Sequence, residues 1–498
     1  MGKDEKALSR RKFLGISVGA TTAMAGLMAF GPREAKALPP TQEWHKEVDI
    51  VVIGSGAAGL TAAIEAKKAG ADVLVLEKMP FVGGNTGIST AGMNGVQSEL
   101  QKQKVAKLWT VDEFYEWTRM GGDYKNDPDH VRIYAEQSGK AIDFLVTLGA
   151  PFPEVTPRSV SITNKWGAGL IEILYKGATA SGASVMTDTL AVGLIAEANT
   201  TPKKVHGVQI KNDKGRIQNI RAKKGVILAT GGFGGNPEMV ERHDPSLKGY
   251  TTTNIPEVST GEVMCMAMSL GADTNGLNYI QIHPTVYAFD GKRGMITEGM
   301  RESGALLVNV DGDRFVDELQ RRDAVSQAIL KQKNAYAFLI LSKNVAHGKI
   351  GEYVKDGFAV EAASVEELAK KTGLDPAKLK QTLDKYNSYV EARDDKDFKR
   401  GLYRELGKQQ TLTGKINQPP FYSLKVKPGI HHCCGGLRIN PKAQVMDALD
   451  GKVIIQNLYA AGEVAGGTHG TNRMGGNAIT ECLVFGRIAG AEAAKSQG

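Results

Sequence analysis

Three glycines and one glutamate stand at a spacing that could hold a dinucleotide cofactor. Gly54, Gly56 and Gly59 form the pattern Gly-x-Gly-x-x-Gly, and Glu77 follows further along the chain. Glycines let backbone N–H groups approach a pyrophosphate, and a carboxylate at this distance accepts hydrogen bonds from an adenosine ribose. Because 59 of the 498 residues are glycine, the spacing alone would also fit an ordinary tight turn.

The elements around these residues favour the cofactor interpretation. An apolar run at residues 50–53 precedes the glycines and is short enough to be a buried parallel strand. A helical pattern follows and ends at Gly70, and a second apolar run at residues 73–76 carries Glu77 at its end. Strand, glycine turn, helix, strand and acid occur in the order that a dinucleotide fold requires. The predicted cofactor contacts of this stretch are Gly54, Ser55, Gly56, Ala57, Ala58, Gly59, Glu77 and Lys78.

A second loop of small residues follows the acid and indicates which dinucleotide is bound. Residues 83–87 read Gly-Gly-Asn-Thr-Gly, and residues 91–94 read Ala-Gly-Met-Asn. An NAD domain has no need of this loop, whereas FAD requires a backbone that passes close to both its pyrophosphate and its isoalloxazine. We therefore predict FAD as the cofactor. Further contacts are predicted from Gly84, Asn85, Thr86, Gly87, Thr90 and Gly92.

Three further groups of polar residues could carry chemistry. The first is Gln-Ile-His-Pro-Thr at residues 281–285, and the second joins Thr-Glu-Gly-Met-Arg at residues 297–301 to the segment 312–323. The third joins His-His-Cys-Cys-Gly-Gly at residues 431–436 to the segment 470–477. Each histidine, taken alone, is more readily explained as a structural residue. Together the groups fall where the chain would pass between a flavin domain and a cap, and such junctions commonly bind substrates.

The length of the chain implies about two or three domains. Late apolar runs at residues 225–230 and 458–461 end in glycines, as in flavoproteins whose chain returns to the FAD, and they add Thr230 and Gly231 to the predicted contacts. The predicted fold class is α/β, α+β overall, with an FAD domain of the two-dinucleotide-binding type and an inserted α+β capping (clamp) domain. The predicted boundaries are a signal peptide at 1–37, the FAD-binding domain at 45–280 and 431–498, and the capping domain at 281–430.

The first 37 residues have the features of an export signal. Arg10 and Arg11 form a twin-arginine motif, an uncharged run rich in Gly and Ala follows, and Ala35-Lys36-Ala37 is an A-x-A cleavage site. The alternative is a membrane anchor, but the run is only mildly apolar and near the lower length limit for a span. We predict cleavage after Ala37, a periplasmic location and no permanent membrane anchor.

Charge and cysteine content exclude several classes of partner. The chain has 62 basic and 54 acidic residues, and without the predicted signal the balance is 55 against 51. A net charge of +4 gives no indication of nucleic-acid binding. No C-x-x-C-H motif or metal-ligand spacing occurs, so neither a c-type haem nor a metal is predicted. The adjacent Cys433 and Cys434 are expected as buried thiols, although a strained vicinal disulfide is a second possibility.

Read together, the motifs resemble those of the soluble fumarate reductase family. This family comprises the flavoprotein part of periplasmic flavocytochrome c and is related to succinate dehydrogenase flavoproteins. The segments VIGSGAAGL, GGNTG, QIHPT, TEGMR, PGIHHCCGG, AAGEVAGGTHG and NRMGGNA occur in family order over roughly residues 45–495. The resemblance implies noncovalent FAD and an FAD-dependent oxidoreductase that reduces a C=C bond conjugated to a carboxylate.

The resemblance also implies how the substrate is held and protonated. Arg473 and His431 would hold the carboxylate beside the reacting bond, and His283 and Thr297 would hold the group at the far end, which positions the substrate over the flavin N5. Arg322 would donate the proton. The remaining roles implied are Glu298 and Arg301 as a proton relay, Gly476 and Ala91 as substrate contacts, and His432, Glu463, Asn477, Ala478 and Ile479 as cofactor contacts.

Some positions depart from the family pattern or leave a choice open. Arg321 is adjacent to Arg322 and is a rival for the proton donor, although the spacing from TEGMR and the following Asp323 favour Arg322. The usual Thr-Gly-Asp-Gly has Glu262 in third place, which affects a possible contact with FAD. A shortened loop before Trp166 brings fumarate itself into question, so methacrylate, urocanate and other acrylates stay candidates.

The expected partners follow from the same comparison. The sequence has no haem-attachment motif, so we expect a separate electron donor, most simply a multihaem c-type cytochrome. Two other functions stay open. An FAD-dependent oxidase or dehydrogenase would work in the oxidising direction, and a flavin electron carrier would have no use for Arg322.

Overall fold

A computed structural model of the protein describes residues 36–41, 43–162, 165–401 and 414–498. The described chain divides into two compact units. The first unit comprises the chain up to Lys248 together with Asn254–Ile280 and His432–Gly498. The second unit comprises Gly249–Thr253 and Gln281–His431.

A twisted sheet forms the centre of the first unit. Lys46–Ile53 pairs in parallel with Val73–Leu76 on one side and with Ile217–Leu228 on the other. Ile217–Leu228 in turn pairs in parallel with Ile454–Ala460, a strand from the far end of the sequence. These strands are almost continuous runs of buried apolar residues, as expected for a parallel sheet covered on both faces. In the described chain this sheet has nine strands, which are Lys36–Leu38, Leu190–Glu197, Lys204–Lys211, Ile454–Ala460, Ile217–Leu228, Lys46–Ile53, Val73–Leu76, Ser184–Met186 and Gln444–Met446.

The helix after the glycine turn, Ala57–Lys68, packs closely against the last helix, Asn477–Lys495. Glycine makes this approach possible, because a Cβ at Gly486 or Gly490 would lie 2.6 Å or 2.2 Å from a backbone oxygen of the first helix. The other helices described in this unit are Gly84–Ile88, Glu99–Lys104, Val111–Gly121, Pro128–Thr147, Trp166–Ala180, Pro237–His243 and Glu262–Ser269, with a 3-10 turn at Pro245–Leu247. The short strands are Gly92–Asn94, Glu154–Val155, Ser159–Ser161, Thr274–Asn275 and Gly436–Leu437.

The second unit is built on a sheet of antiparallel strands. Ala337–Ser342 pairs with Phe421–Cys433 and with Leu306–Val308, and Ile280–Phe289 pairs with Lys292–Met295. Ala359–Ala362 adds to the same sheet. The helices described here are Gly299–Glu302, Arg322–Leu330, Ile350–Asp356, Val365–Thr372 and Pro376–Ala392, with 3-10 turns at Lys333–Ala335 and Lys343–Val345. Their buried apolar faces and those of the strands form one hydrophobic core.

The units differ from the predicted boundaries at the segment 249–253 and at His431, which was predicted in the flavin domain and belongs to the second unit. Sequence reasoning assigned residues 249–253 to the flavin domain, whereas they belong to the second unit. The reason is backbone pairing, since the N–H of Ile430 donates to the oxygen of Thr251 and the N–H of Thr253 donates to the oxygen of Ile430. No local pattern in the segment could indicate that pairing.

The predicted export signal falls largely outside the described residues. Arg10, Arg11 and Ala35 are not described, so the twin-arginine motif stays a prediction. The strand Lys36–Leu38, which pairs in parallel with Leu190–Glu197, spans the predicted cleavage position after Ala37. Within the described chain no helix combines the length and the apolar character needed to cross a bilayer.

Candidate active site

A cleft in the first unit gathers most of the predicted cofactor contacts. It holds about 800 Å³ of space, counted with its open mouth. The glycine turn forms one wall. Gly54 has φ +104°, and a Cβ there would lie 2.3 Å from the backbone oxygen of Ala229, so only glycine fits. The predicted residues that line the cleft are Gly54, Ser55, Gly56, Ala57, Ala58, Glu77, Lys78, Gly84, Asn85, Thr86, Thr230, Gly231 and Glu463.

Glu77 is held in the cleft by its neighbours. Its Oε2 accepts hydrogen bonds from the backbone N–H of Ser55 at 3.1 Å and from the Ser55 hydroxyl at 2.5 Å, and its Oε1 accepts from the N–H of Met79 at 2.9 Å. Burial raises the pKa of Glu77, and these hydrogen bonds act in the opposite direction. The carboxylate is thus fixed between the glycine turn and the end of its own strand.

Lys78 and Glu262 face each other across the cleft wall. Lys78 Nζ lies 2.6 Å from Glu262 Oε1 and 2.6 Å from Thr260 Oγ1. Glu262 is the residue that replaces the aspartate of the usual family motif, and it begins the helix Glu262–Ser269. Both residues line the cleft, and the glutamate at this position forms an ion pair with Lys78 there.

The small-residue loop after Glu77 is anchored through Asn85. Its Nδ2 donates to Asn254 Oδ1 and to Ser259 Oγ, both at 2.7 Å, and its Oδ1 accepts from the N–H of Ile255 at 2.9 Å. The loop forms the short helix Gly84–Ile88. All three contacts join the loop to residues 254–259, which directly follow the segment 249–253 of the second unit.

Glu463 lines the same cleft and lies beside Gly232 and Cys433. It accepts a hydrogen bond from the N–H of Cys433 at 2.8 Å, and His432 Nδ1 is 3.6 Å from its Oε1. Burial raises the pKa of Glu463 to about 7. Cys433 and Cys434 are both thiols, so the vicinal disulfide considered from the sequence is not formed in the described chain.

The start of the last helix is tied to the segment Gly92–Asn94. Asn94 Nδ2 donates to the oxygen of Gly475 at 2.5 Å and to Asn477 Oδ1 at 2.8 Å, and the Asn94 N–H donates to the oxygen of Gly476 at 2.8 Å. Arg473, just before this helix, is largely buried. Ala91 precedes the segment in a left-handed conformation, with φ +51°.

The arrangement fits FAD. The cleft has the glycine turn and Glu77 that a dinucleotide needs, and one buried polar atom of its lining, Thr230 Oγ1, has no partner among the described residues. Such atoms are costly to bury alone, so a polar ligand is the expected partner. Sequence reasoning missed other lining residues, because they belong to no recognisable motif: Thr189, Leu190, Ala191, Val258, Ser259 and Cys482.

The second unit brings together most of the predicted catalytic residues. Arg322 Nη2 donates to Glu298 Oε2 at 2.6 Å, and Arg322 Nη1 donates to Gln281 Oε1 at 3.0 Å. The other carboxylate oxygen of Glu298 accepts from Arg301 Nη2 at 3.0 Å. Glu298 is therefore shared by two guanidinium groups, which hold its carboxylate in one orientation.

Arg321 is in a different environment from Arg322. It forms a two-point ion pair with Asp323, with Nε and Nη2 each 3.0 Å from a carboxylate oxygen. The Arg321 side chain is 17% exposed and its partner Asp323 is 52% exposed, whereas the Arg322 side chain is 9% exposed and its partner Glu298 is 24% exposed. Arg321 directly precedes the helix Arg322–Leu330, whereas Arg322 is its first residue. The two neighbouring side chains therefore lie in different surroundings.

His283 is a buried neutral imidazole. Its Nε2 lies 3.0 Å from the oxygen of Ile296 and 3.0 Å from Thr285 Oγ1, so this nitrogen carries the hydrogen, and Nδ1 has no partner among the described residues. Burial lowers the pKa of His283 to about 3, and the positive charges of Arg322 and Arg301 act in the same direction. A bound anion would favour the protonated form.

His431 and Thr297 lie in the same unit. The ring centroids of His283 and His431 are 5.0 Å apart, and His431 Nδ1 is 2.7 Å from Thr253 Oγ1. The N–H of Thr297 donates to the Tyr353 hydroxyl oxygen at 3.0 Å. The remaining predicted residues, among them His432 and Arg473, belong to the first unit.

Comparison with known proteins gives the family. The FAD binding domain family matches residues 49–479. A fumarate reductase (cytochrome) of Shewanella frigidimarina is 38% identical over 463 residues, which cover 91% of this chain and 78% of that protein. The acrylate reductase flavoprotein subunit of Shewanella woodyi is 32% identical, and the alignment covers 97% of each chain. The structure of the open conformation of a flavocytochrome c3 fumarate reductase has a TM-score of 0.76 at 34% identity, covering 99% of this chain and 82% of that one.

These matches confirm the predicted resemblance, the α/β fold of the FAD-binding type and FAD as the cofactor. They also bear on the reaction, because the matched reductases act on unsaturated carboxylic acids. The chain belongs to the FAD binding domain family, with the fumarate reductase flavoproteins. It is an FAD-dependent oxidoreductase of the CH–CH class, which reduces the C=C bond of an unsaturated carboxylate.

Proposed function

We propose that this chain is the flavin-bearing component of a periplasmic reductase that converts fumarate, or a related acrylate such as methacrylate or urocanate, to the saturated acid. The observation that carries the proposal is the contact of Arg322 with Glu298, since it joins a buried guanidinium to a carboxylate that is partly open to solvent. An electron carrier without a substrate would need no such pair. The similarity to a fumarate reductase and an acrylate reductase supports the same reaction.

The cofactor would be held without a covalent bond by the cleft of the first unit. Glu77 and the glycine turn would bind the adenosine and pyrophosphate parts, and Asn85 would keep the small-residue loop in place beside them. When bound, FAD supplies a hydride from its N5 atom. His432 would contact the flavin ring, and Glu463 would contact the ribityl or pyrophosphate region of the cofactor.

Arg322 would supply the proton that completes the reduction. A guanidinium stays protonated in proteins, so Arg322 can act as an acid only if it regains its proton at once. Glu298 lies 2.6 Å away and can return a proton to Nη2. The carboxylate side chain of Glu298 is 24% exposed and can be protonated from solvent.

Two pairs of residues would bind the substrate. Arg473 and His431 would bind the carboxylate next to the reacting bond, while His283 and Thr297 would bind the group at its far end. A carboxylate at the far end would favour protonation of His283 Nδ1, since the imidazole is otherwise neutral. Gly476 and Ala91 would contact the substrate through their backbone. Fixing both ends supplies the positioning part of catalysis.

The reducing electrons would come from a separate protein, most simply a multihaem c-type cytochrome. The acrylate reductase relative is itself named as a flavoprotein subunit and matches this chain over 97% of its length, which supports a separate donor. Export through the twin-arginine route would carry the folded, FAD-loaded protein to the periplasm. Changing Arg10 and Arg11 to lysine should leave unprocessed precursor inside the cell.

A panel of unsaturated acids tests the proposal. The purified protein is mixed with reduced methyl viologen, and fumarate, acrylate, methacrylate and urocanate are added one at a time. Oxidation of the viologen with formation of the saturated acid is expected for at least one of them. Failure with every acid, combined with O₂ consumption in the presence of a saturated substrate, would instead indicate an enzyme that works in the oxidising direction.

A further inference from the structure

Four charged side chains form a buried cluster in the second unit. This cluster, called here the buried anchor, consists of Arg314, Glu318, Asp395 and Arg400, whose side chains are at most 5% exposed. Arg314 donates to Glu318 through Nε at 2.9 Å and through Nη2 at 2.8 Å. Arg314 Nη2 is also 2.8 Å from Asp395, and Arg400 Nη1 is 2.5 Å from Glu318. Two cations and two anions therefore neutralise one another away from water.

The buried anchor is connected to Arg301 at two points. Arg400 Nη2 donates to the backbone oxygen of Arg301 at 2.6 Å and to that of Ala305 at 3.2 Å. In the other direction, Arg301 Nη1 donates to the backbone oxygen of Glu318. Both the main chain and the guanidinium of Arg301 are thus fixed by members of the anchor.

Arg301 in turn orients the carboxylate that serves Arg322. Its Nη2 donates to Glu298 Oε1 at 3.0 Å, which leaves Oε2 for Arg322 at 2.6 Å. The Arg301 side chain is only 1% exposed, whereas that of Glu298 is 24% exposed. Arg301 is thus the more deeply buried of the two residues, and its position sets the orientation of the Glu298 carboxylate.

We propose that Arg400 and Glu318 are positioning residues for the proton supply, acting through Arg301 on Glu298. The role deepens the proposed function and rests on Arg322 as the proton donor. Buried ion clusters contribute little net stability compared with apolar packing, so we attribute this one to the geometry that it imposes on Arg301. A displacement of about 1 Å in a catalytic group can cost roughly 10²-fold in rate.

The test compares Arg400→Gln and Arg400→Lys with wild type in the FAD-loaded protein. For the acid that wild type reduces, among fumarate, acrylate, methacrylate and urocanate, kcat and KM are measured in H₂O and in D₂O. We expect Arg400→Gln to lower kcat about 10- to 100-fold with KM nearly unchanged, and to increase the solvent isotope effect, because proton delivery becomes slower. Arg400→Lys keeps the charge beside Glu318 but lacks the planar fork with which Arg400 contacts Glu318 and the two carbonyl oxygens at the same time, so its kcat should be intermediate.

Leu383→Ala is the matched control for loss of stability. Leu383 is an apolar residue buried in the hydrophobic core of the same unit. Its substitution should lower the melting temperature while kcat and the isotope effect, measured well below that temperature, stay at wild-type values. Glu318→Gln provides a second test if Arg400→Gln does not fold.

The outcomes separate this role from the proposed function. A wild-type kcat and isotope effect in Arg400→Gln and Glu318→Gln, with only a lower melting temperature, would overturn the positioning role alone. Failure of wild type to reduce any of the four acids, or full activity of Arg322→Ala, would overturn the proposed function and the positioning role together.

Discussion

Nη2 of Arg322 lies 2.6 Å from Oε2 of Glu298, and this contact joins two residues that are 24 positions apart in the sequence. Arg322 is the first residue of a helix and its side chain is 9% exposed, so its guanidinium has little freedom to leave the carboxylate. The immediate neighbour Arg321 forms its own ion pair with Asp323. The structure therefore gives adjacent arginines different partners, which makes them a natural pair for mutagenesis.

Arg322→Ala should nearly abolish reduction of the unsaturated acid while FAD stays bound. General acid catalysis is typically worth about 10²–10⁴-fold, and the loss should lie in this range or above it if Arg322 also aligns the substrate. Arg321→Ala is the control and should change kcat little, since its partner Asp323 is half exposed. Steady-state kinetics with viologen as donor decides between them. An inactive Arg321 variant beside an active Arg322 variant would assign the proton donor to Arg321.

His283 should make the protein less stable at acidic pH. Its pKa is lowered to about 3 from an ordinary value of 6.5, so between these values the unfolded chain binds a proton that the folded chain does not. The free energy of unfolding should therefore rise with pH in this window, with a contribution from His283 of up to about 1.4 kcal/mol per pH unit.

The measurement is urea unfolding at several pH values between 4 and 6.5 for wild type and His283→Gln. The glutamine variant should show a shallower dependence on pH, because it has no group that titrates there. Equal slopes for the two proteins would mean that His283 has an ordinary pKa in the folded state.

Asn85→Ala should weaken FAD binding. The amide makes three hydrogen bonds that join the small-residue loop to residues 254–259, and losing partners of buried polar groups costs about 1–3 kcal/mol each. Titration of the FAD-free protein with FAD, followed by flavin fluorescence, measures the effect.

Asn387→Ala is the matched control for this variant. Asn387 also joins two segments through its amide, since Nδ2 donates to the oxygen of Ile416 at 3.1 Å and Oδ1 accepts from the Ile416 N–H at 2.7 Å. It belongs to the second unit and not to the cleft, so its loss should lower stability without changing the affinity for FAD. A similar loss of FAD affinity in both variants would show that the effect is one of general stability.

FAD should be released when the protein is denatured. The predicted contacts bind the cofactor through hydrogen bonds and shape, so acid precipitation should leave yellow FAD in the supernatant. Absorbance at 450 nm measures the release, and mass spectrometry of the pellet checks for a modified peptide. A protein mass increased by that of FAD would contradict noncovalent binding.

The sequence by itself was enough to indicate the FAD cleft and the family. Gly54 and Gly56 lie in the turn between a strand and a helix, Gly59 lies in the first turn of that helix, and Glu77 directly follows the next strand. Local order alone therefore defines this part of the fold. Motif spacing also favoured Arg322 over Arg321. The inferences about FAD and the family succeed because the residues concerned are close in sequence or belong to motifs in a constant order, whereas the choice of Arg322 stays a prediction.

Only the tertiary structure decided which distant residues meet. Lys78 pairs with Glu262, 184 positions away, and Arg400 reaches the backbone oxygen of Arg301, 99 positions away. The grouping of residues 249–253 with the second unit likewise depends on backbone bonds to Ile430. Periodicity reports which face of an element is apolar, but it carries no information about which other element covers that face. Such pairings, and the positioning of Glu298 that we attribute to them, are set when the two units pack their own cores.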